Sequence, residues 1–166
     1  MNKYVLYISY QGTDYYGFQE QDGYETVMGV VKLIVKRIIP DASSFKGSGR
    51  TDKGVHANSQ VVQFITCKEL NLYKIKYAIN NLLPKNLKLN AMKPVELTFD
   101  VIRSAISRTY NYLFTERGNT PIYLRDFVAE VNLNIDFNIF ESLKNIIMGR
   151  HDFTVLRNTG SWSVSL

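Results

Sequence analysis

The sequence is poor in the residue types that build disulfides and metal sites. It contains one cysteine, Cys67, and two histidines, His56 and His151, among 166 residues. A single cysteine excludes an internal disulfide and a zinc cluster made of several thiolates. Two histidines cannot form a metal site without help from carboxylates. We therefore predict no metal site, and the low cysteine content is typical of a reducing, cytoplasmic setting.

Long apolar runs are also missing. No stretch approaches the roughly 20 apolar residues that are needed to span a bilayer. The N-terminal segment has a single lysine and no cleavage site of small residues, which favours a first strand over a signal peptide. We therefore expect no membrane association.

Acidic residues are fewer than basic ones. The chain has 15 Asp and Glu against 20 Lys and Arg, a net charge of +5 and a pI of about 9.2. This balance favours a polyanionic partner, although a modestly basic surface is also common in proteins that bind nothing acidic. Eleven tyrosines and nine phenylalanines add aromatic rings, on which nucleobases stack.

Hydrophobic residues make up 45% of the sequence and charged residues 21%, which is a globular composition. Periodicity and breaker residues predict six elements in the first hundred residues. They are a strand at 3–10, a helix at 26–39, a short strand before a glycine-rich loop, a strand at 60–66, a helix at 70–83 and a strand at 86–92. This order predicts an α+β fold with a ferredoxin-like βαββαβ lobe, in which two helices cover an antiparallel sheet.

A second, incomplete α+β lobe is predicted after residue 98, so that the two domains are 1–98 and 99–166. A long strand at 104–115, a shorter strand at 126–131 and an amphipathic helix at 136–148 are its predicted elements.

The glycine-rich loop concentrates ionisable side chains. Arg50, Asp52, Lys53 and His56 lie within seven positions. An ionised carboxylate that is held in place can act as a nucleophile or a base, and glycine lets the backbone approach a bulky ligand. The alternative is a structural Asx-type turn, in which Arg50 and Asp52 form an exposed pair of little energetic value.

Five segments resemble one family along nearly the whole chain. "GRTDKGVHA" (49–57) closely resembles the signature "GRTDAGVHA" of the tRNA pseudouridine synthase A family, with Lys53 in place of the usual alanine. Four further segments are similar to family motifs in the same order: "YQGTDYYGFQEQ" (10–21), "INNLLP" (79–84), "SRTYNYLF" (107–114) and "GRHDFT" (149–154). The resemblance implies a pseudouridine synthase fold.

The resemblance also implies an activity. The family isomerises uridine to pseudouridine in the anticodon stem-loop of tRNA, needs no cofactor and works as homodimers. It implies that Asp52 is the catalytic nucleophile, that Tyr110 stacks on the flipped base, and that Arg50, paired with Asp52, and Thr51 help to bind the substrate. Whether Asp52 attacks the base ring or the sugar carbon, or assists a glycal-type route, stays open.

Other residues of interest are interpreted as structural residues or as possible RNA contacts. Without the resemblance, Tyr110 would be interpreted as a core or cross-strand tyrosine, and Tyr112 is interpreted as packing in the core. His56 and His151 are interpreted as structural. Five basic residues are candidate phosphate contacts or ordinary surface charges: Lys46, Lys53, Arg103, Arg108 and Arg117.

The chain departs from the family pattern in three places. Phe18 replaces a tryptophan, which keeps an aromatic ring in an apolar slot. Ile102 stands where the family has an arginine, and Arg103 follows it. Family chains also continue beyond the "HDF" turn, so the resemblance implies that a C-terminal part is missing. The alternative function is therefore a truncated, inactive tRNA-binding remnant of such an enzyme.

Overall fold

The computed structural model describes residues 1–132, 137–152 and 154. The match to the "HDF" turn falls partly outside the described residues, at Phe153, and so does the tail from residue 155 onwards. The chain divides into two compact units, Met1–Tyr112 and Leu113–Leu166. No helix within the described part of the chain is long and apolar enough to cross a membrane.

The first unit has the predicted βαββαβ order. Its elements are β1 (Asn2–Tyr10), α1 (Val27–Ile38), β2 (Ser43–Gly47), β3 (Ala57–Thr66), α2 (Leu72–Leu82) and β4 (Leu87–Val95). The strands form one sheet in the order β2-β3-β1-β4, and every neighbouring pair is antiparallel. This is the ferredoxin-like arrangement, and the predicted α+β fold is confirmed.

Local signals set the ends of both helices. The Thr26 hydroxyl accepts a hydrogen bond from the Gly29 N–H at the start of α1, and the Asn71 side chain does the same for the Lys74 N–H in α2. These caps satisfy N–H groups that have no partner inside the helix. Pro40 follows the end of α1 and prevents its continuation. The caps and the proline explain why the predicted helix bounds are close to those observed.

The central strand β1 carries much of the core. Its residues Tyr4, Leu6 and Ile8 are buried and cluster with α1 residues such as Val31 and Val35. In the sheet register, Leu6 lies opposite Val62 of β3 and Met92 of β4, and both of these are also buried. Burial of such side chains stabilises the fold by about 1.5–3 kcal/mol each. The sheet and its helices therefore form a rigid base for the loops at its edge.

The segment after β4 packs onto the first unit. The Lys46 ammonium lies 2.5 Å from an Asp100 carboxylate oxygen, Val101 is buried, and its N–H donates to the Gln63 side chain at 2.7 Å. The ammonium of the buried Lys3 donates to the backbone carbonyl of Phe99 at 2.7 Å. The first unit therefore extends to Tyr112, whereas the sequence places the domain boundary after residue 98.

Asp100 gives a pH-dependent contribution to stability. The hydrogen bond from Lys46, with those from the Arg103 and Ile102 N–H groups, lowers the pKa of Asp100 from 3.8 to about 2. A lowered folded-state pKa means that this stabilisation is complete above about pH 4 and is lost as the pH falls towards 2.

We expect Asp100→Ala to lower the free energy of unfolding by about 1 kcal/mol at neutral pH, because it removes two hydrogen bonds to the following turn and an ion pair. Denaturant titrations between neutral pH and pH 3 measure this, and the difference from wild type should shrink at the acidic end. Glu69→Ala, at an exposed site, is the control. A difference that grows as the pH falls would contradict the assignment.

The second unit is small and differs from the prediction. It contains β5 (Phe114–Glu116), a short 3-10 helix (Ile122–Leu124), β6 (Ala129–Val131) and α3 (Phe137–Ile147). β5 and β6 pair in parallel. The predicted helix is confirmed, but the long strand at 104–115 is wrong, because residues 105–113 lie outside helix and strand. A strand needs a neighbour for its backbone groups, and among the described strands none pairs with 105–112.

Candidate active site

The predicted catalytic loop connects β2 to β3 and lies at the edge of the sheet. We call residues 48–56 the Asp52 loop. The Ser48 N–H donates to the Val61 carbonyl at 2.8 Å. The Gln60 side chain accepts from the Ser48 hydroxyl at 2.7 Å and donates to the Gly49 carbonyl at 3.0 Å. The first half of the loop is therefore held by β3, and no pattern in the sequence had indicated Gln60.

A tight turn forms the second half of the Asp52 loop. The Val55 N–H donates to the Asp52 carbonyl at 3.2 Å. Gly54 has a φ of 80°, in the left-handed region that favours glycine. The Asp52 side chain is exposed. The hydrogen bond of the turn thus uses the Asp52 backbone carbonyl and not its exposed carboxylate.

The loop between β1 and α1 holds the Asp52 loop from the other side. The Phe18 N–H donates to the Thr51 carbonyl at 2.9 Å, and the Tyr10 and Thr51 hydroxyls are 2.8 Å apart. The Gly12 N–H donates to His56 Nδ1 at 3.1 Å. Burial raises the pKa of Tyr10, so its phenol stays neutral as a hydrogen-bonding group. The hydrogen bond from Gly12 gives His56 a structural contact between the two loops.

Two glycines allow this close approach. A Cβ on Gly12 would lie 2.0 Å from the Val55 carbonyl oxygen, and one on Gly17 would lie 3.0 Å from the Thr51 carbonyl oxygen. Gly17 also has a φ of 87°. Any side chain at position 12 would overlap backbone that cannot rotate away. The two loops can be in contact only because these positions lack a side chain.

We expect Gly12→Ala to lower the free energy of unfolding by about 1–3 kcal/mol, since the new methyl group must displace the Asp52 loop. Urea titration measures the loss. Gly49→Ala is the matched control in the same loop, because a Cβ there would meet nothing closer than the Arg108 side chain at 3.9 Å. Equal stability of Gly12→Ala and wild type would contradict the close contact.

Phe18 fills the apolar slot beneath the two loops. Its side chain is 3% exposed, and its ring stacks on Tyr10 with 6.4 Å between centroids. A Cβ on Gly47 would lie 2.3 Å from the Phe18 ring. The aromatic ring at this position therefore fixes the distance between β2 and the loop that follows β1.

The structure places the predicted site residues in different settings. Thr51 is half-buried between the loops, with its hydroxyl bonded to Tyr10. Arg50 and Asp52 are exposed, and among the ion pairs of the described residues none joins them. The implied Arg50–Asp52 pair is thus absent here. Exposed ion pairs gain little free energy in water.

Arg108 connects the "SRTYNYLF" segment to the Asp52 loop. Its guanidinium donates to the Ser48 carbonyl at 3.0 Å. Tyr110 follows two residues later, outside helix and strand, with 72% of its side chain exposed. Tyr112 is 88% exposed, so its predicted packing in the core is wrong. The arginine that contacts the loop had been singled out only as a candidate phosphate contact.

Comparison with known proteins identifies the fold around this loop. A model of the tRNA pseudouridine synthase family matches residues 6–102. The chain belongs to this family. The match includes the second half of β1, both loops and the other three strands of the sheet. The two motifs of the family resemblance at 10–21 and 49–57 are the segments that contact each other around Asp52.

Individual relatives extend the similarity along the chain. The tRNA pseudouridine synthase A of Caldicellulosiruptor saccharolyticus is 32% identical over 97% of this chain and 66% of its own length. The proteins of the same name from Chlorobaculum tepidum and Dictyoglomus thermophilum are 37% and 34% identical, over 89% and 92% of this chain and 60% and 63% of their own lengths. The chain therefore spans 60–66% of the length of these relatives.

The arrangement suits a nucleophile that works on a bulky ligand. The backbone on both sides of Asp52 is held by hydrogen bonds to neighbouring elements, and the carboxylate is exposed. In the described part of the chain, no group of three or more His, Cys, Asp or Glu side chains could hold a metal ion. These residues supply an exposed carboxylate on a loop whose backbone is held in place, and such a carboxylate can act as a nucleophile or a base.

Proposed function

We propose that the protein isomerises uridine to pseudouridine in tRNA with Asp52 as the nucleophile. The observation that carries the proposal is the exposed Asp52 carboxylate, on a loop that one family motif forms and the other holds. The reaction breaks the bond between the uracil N1 and the ribose C1′ and joins C5 to C1′. The C5 proton is released and a proton returns to N1, so atoms balance and no redox cofactor is required.

Access to the uridine requires a change in the RNA. A base in the anticodon stem-loop, the proposed target, must leave the stack before a carboxylate on the protein can reach it. We assign stacking on the flipped base to Tyr110, whose ring is exposed, because a nucleobase gains about 1–3 kcal/mol from an aromatic face. Arg50 and Thr51 flank Asp52, and we assign them to substrate binding.

The partners follow from the same assignment. We propose that this basic protein binds tRNA. We also propose that two copies of the chain associate as a homodimer and that the enzyme acts in the cytoplasm. The net charge of +5 supports binding to a polyanion.

Release of tritium from tRNA labelled at the uracil C5 tests the activity directly, since this proton leaves only when C5 forms the new bond. Tritium release by the wild-type chain, with chromatographic detection of pseudouridine in the digested product, is the expected result. No release from any tRNA transcript, by a chain that binds these transcripts, would favour the second candidate function.

That second candidate is a tRNA-binding protein without turnover. The second unit favours it, because apolar side chains of α3 are largely exposed, among them Phe140 at 53% and Ile147 at 58%. Under this alternative, binding of tRNA would persist while tritium release would be absent.

A further inference from the structure

Three side chains beside Asp52 form a cluster that the catalytic assignment does not use. The Lys53 ammonium lies over the Tyr16 ring, 3.9 Å from its centroid. The Tyr16 and Tyr24 rings have centroids 4.5 Å apart. We call Lys53, Tyr16 and Tyr24 the cation–aromatic cluster. All three side chains are exposed, with Tyr16 at 42% and Tyr24 at 54%.

The backbone holds the cluster in place. The Tyr16 N–H donates to the Glu25 carbonyl at 2.9 Å, and the Gln21 side chain donates to the Tyr16 carbonyl at 2.9 Å. The turn from Gln21 to Tyr24 is closed by a bridge between these residues, and Gly23 has a φ of 79°. The two tyrosine rings are thus brought together before any ligand binds, which lowers the entropy lost on binding.

The cluster is next to the proposed nucleophile along the backbone. Lys53 follows Asp52 in the chain. Gly17, which follows Tyr16, approaches the peptide bond between Asp52 and Lys53: a Cβ on Gly17 would lie 3.5 Å from the backbone nitrogen of Lys53. Asp52 and the cluster are therefore adjacent along the backbone of the two contacting loops. In the resembling motif this position is alanine, so the cation is a feature of this chain.

We infer that the cation–aromatic cluster binds the RNA strand next to the uridine on which Asp52 acts. Lys53 contacts a backbone phosphate, and the exposed ring of Tyr24 stacks on a neighbouring base. An ammonium next to exposed aromatic rings matches the two chemical features of a single RNA strand, anionic phosphates and flat bases. The inference rests on the proposed function, because that function brings RNA to Asp52.

The phosphate contact is tested by binding of unmodified tRNA transcript at a series of salt concentrations. Log affinity falls with log salt, and each lost phosphate contact makes this negative slope shallower by about 0.7–0.9. We expect a change of this size for Lys53→Ala. Lys36→Ala, an exposed lysine in the last turn of α1, is the matched control and should keep the wild-type slope to within experimental error.

The stacking contact is tested by Tyr24→Leu and Tyr24→Phe at a fixed salt concentration. We expect Tyr24→Leu to weaken binding by about tenfold and Tyr24→Phe to bind as wild type, since phenylalanine keeps the aromatic face. Tyr77→Leu, which removes a tyrosine that is 64% exposed on α2, is the control and should bind normally. Thermal unfolding of each variant shows whether its fold is unchanged.

The outcomes separate this inference from the proposed function. If wild type binds and isomerises tRNA but Lys53→Ala keeps its salt slope, the cluster inference is wrong and the proposed function stands. A lower Tm of Lys53→Ala without a change of slope would mean that Lys53 only stabilises the loop, which also overturns the inference. Absence of RNA binding by wild type would overturn both.

Discussion

Replacing Asp52 with asparagine is expected to abolish pseudouridine formation while binding of tRNA persists. Asparagine has the same shape but no nucleophilic carboxylate, and loss of a nucleophile commonly lowers kcat by about 10⁴-fold or more. The fold should not change, because the turn is closed by the backbone carbonyl of Asp52, which the variant keeps. Tritium release measures turnover, and a titration at low salt measures binding.

Glu69→Gln is the matched control for this variant. It removes one negative charge from an exposed site, and Glu69 follows the far end of β3 whereas Asp52 precedes its start. Ten strand residues extend over about 33 Å, so this charge cannot act on the same ligand atom. Turnover by Asp52→Asn would refute the catalytic assignment. If Asp52→Asn loses both tRNA binding and turnover, Asp52 contributes to binding of tRNA.

The second large effect is expected from adding the part of the relatives that this chain does not match. We expect a fusion with the remaining C-terminal segment of the Caldicellulosiruptor saccharolyticus synthase to raise the rate of tritium release by about hundredfold. The segment at 105–112, which carries Tyr110, has no strand partner among the described elements. An ordered partner would hold Tyr110, and misplacement of a catalytic group by about 1 Å costs about 10²-fold.

The same fusion made on the Asp52→Asn chain is the control and should stay inactive, because the added segment would order the site without replacing its nucleophile. Circular dichroism should report a gain in strand content for both fusions. If the fusion and the 166-residue chain turn over at the same rate, the added segment contributes nothing to the site and does not order Tyr110.

Much of the first unit follows from local patterns in the sequence. β-branched and aromatic residues predict β1, alternating apolar residues predict β4, and helical spacing that ends before Pro40 predicts α1. Each of these signals lies within one element, so it can be read without knowledge of distant contacts. The nine-residue motif around Asp52 likewise indicates the candidate nucleophile without any structure, because its resemblance to the family lies within consecutive residues.

The contacts around Asp52 are of another kind, and only the tertiary structure decided them. Gly12 lies close to the Val55 carbonyl, and the Gln60 and Arg108 side chains donate hydrogen bonds to the Gly49 and Ser48 carbonyls. Each pair is distant in sequence or faces a backbone group, so no periodic pattern marks it. The exposed Arg50 and Asp52 are close in sequence yet form no ion pair with each other in the described structure, since solvation competes with their attraction.

The strand predicted at 104–115 shows most clearly the difference between what local sequence patterns predict and what tertiary contacts decide. Its β-branched and aromatic residues have the composition of a strand, and that preference is a property of the sequence. A strand forms only where a neighbour accepts and donates its backbone hydrogen bonds, and only Phe114–Glu116 finds one among the described residues. The sequence by itself determined the strands and helices of the first unit and indicated the candidate nucleophile, because local signals specify them. Pairing, loop contacts and exposure were decided by the tertiary structure, because they depend on which distant residues are present as partners.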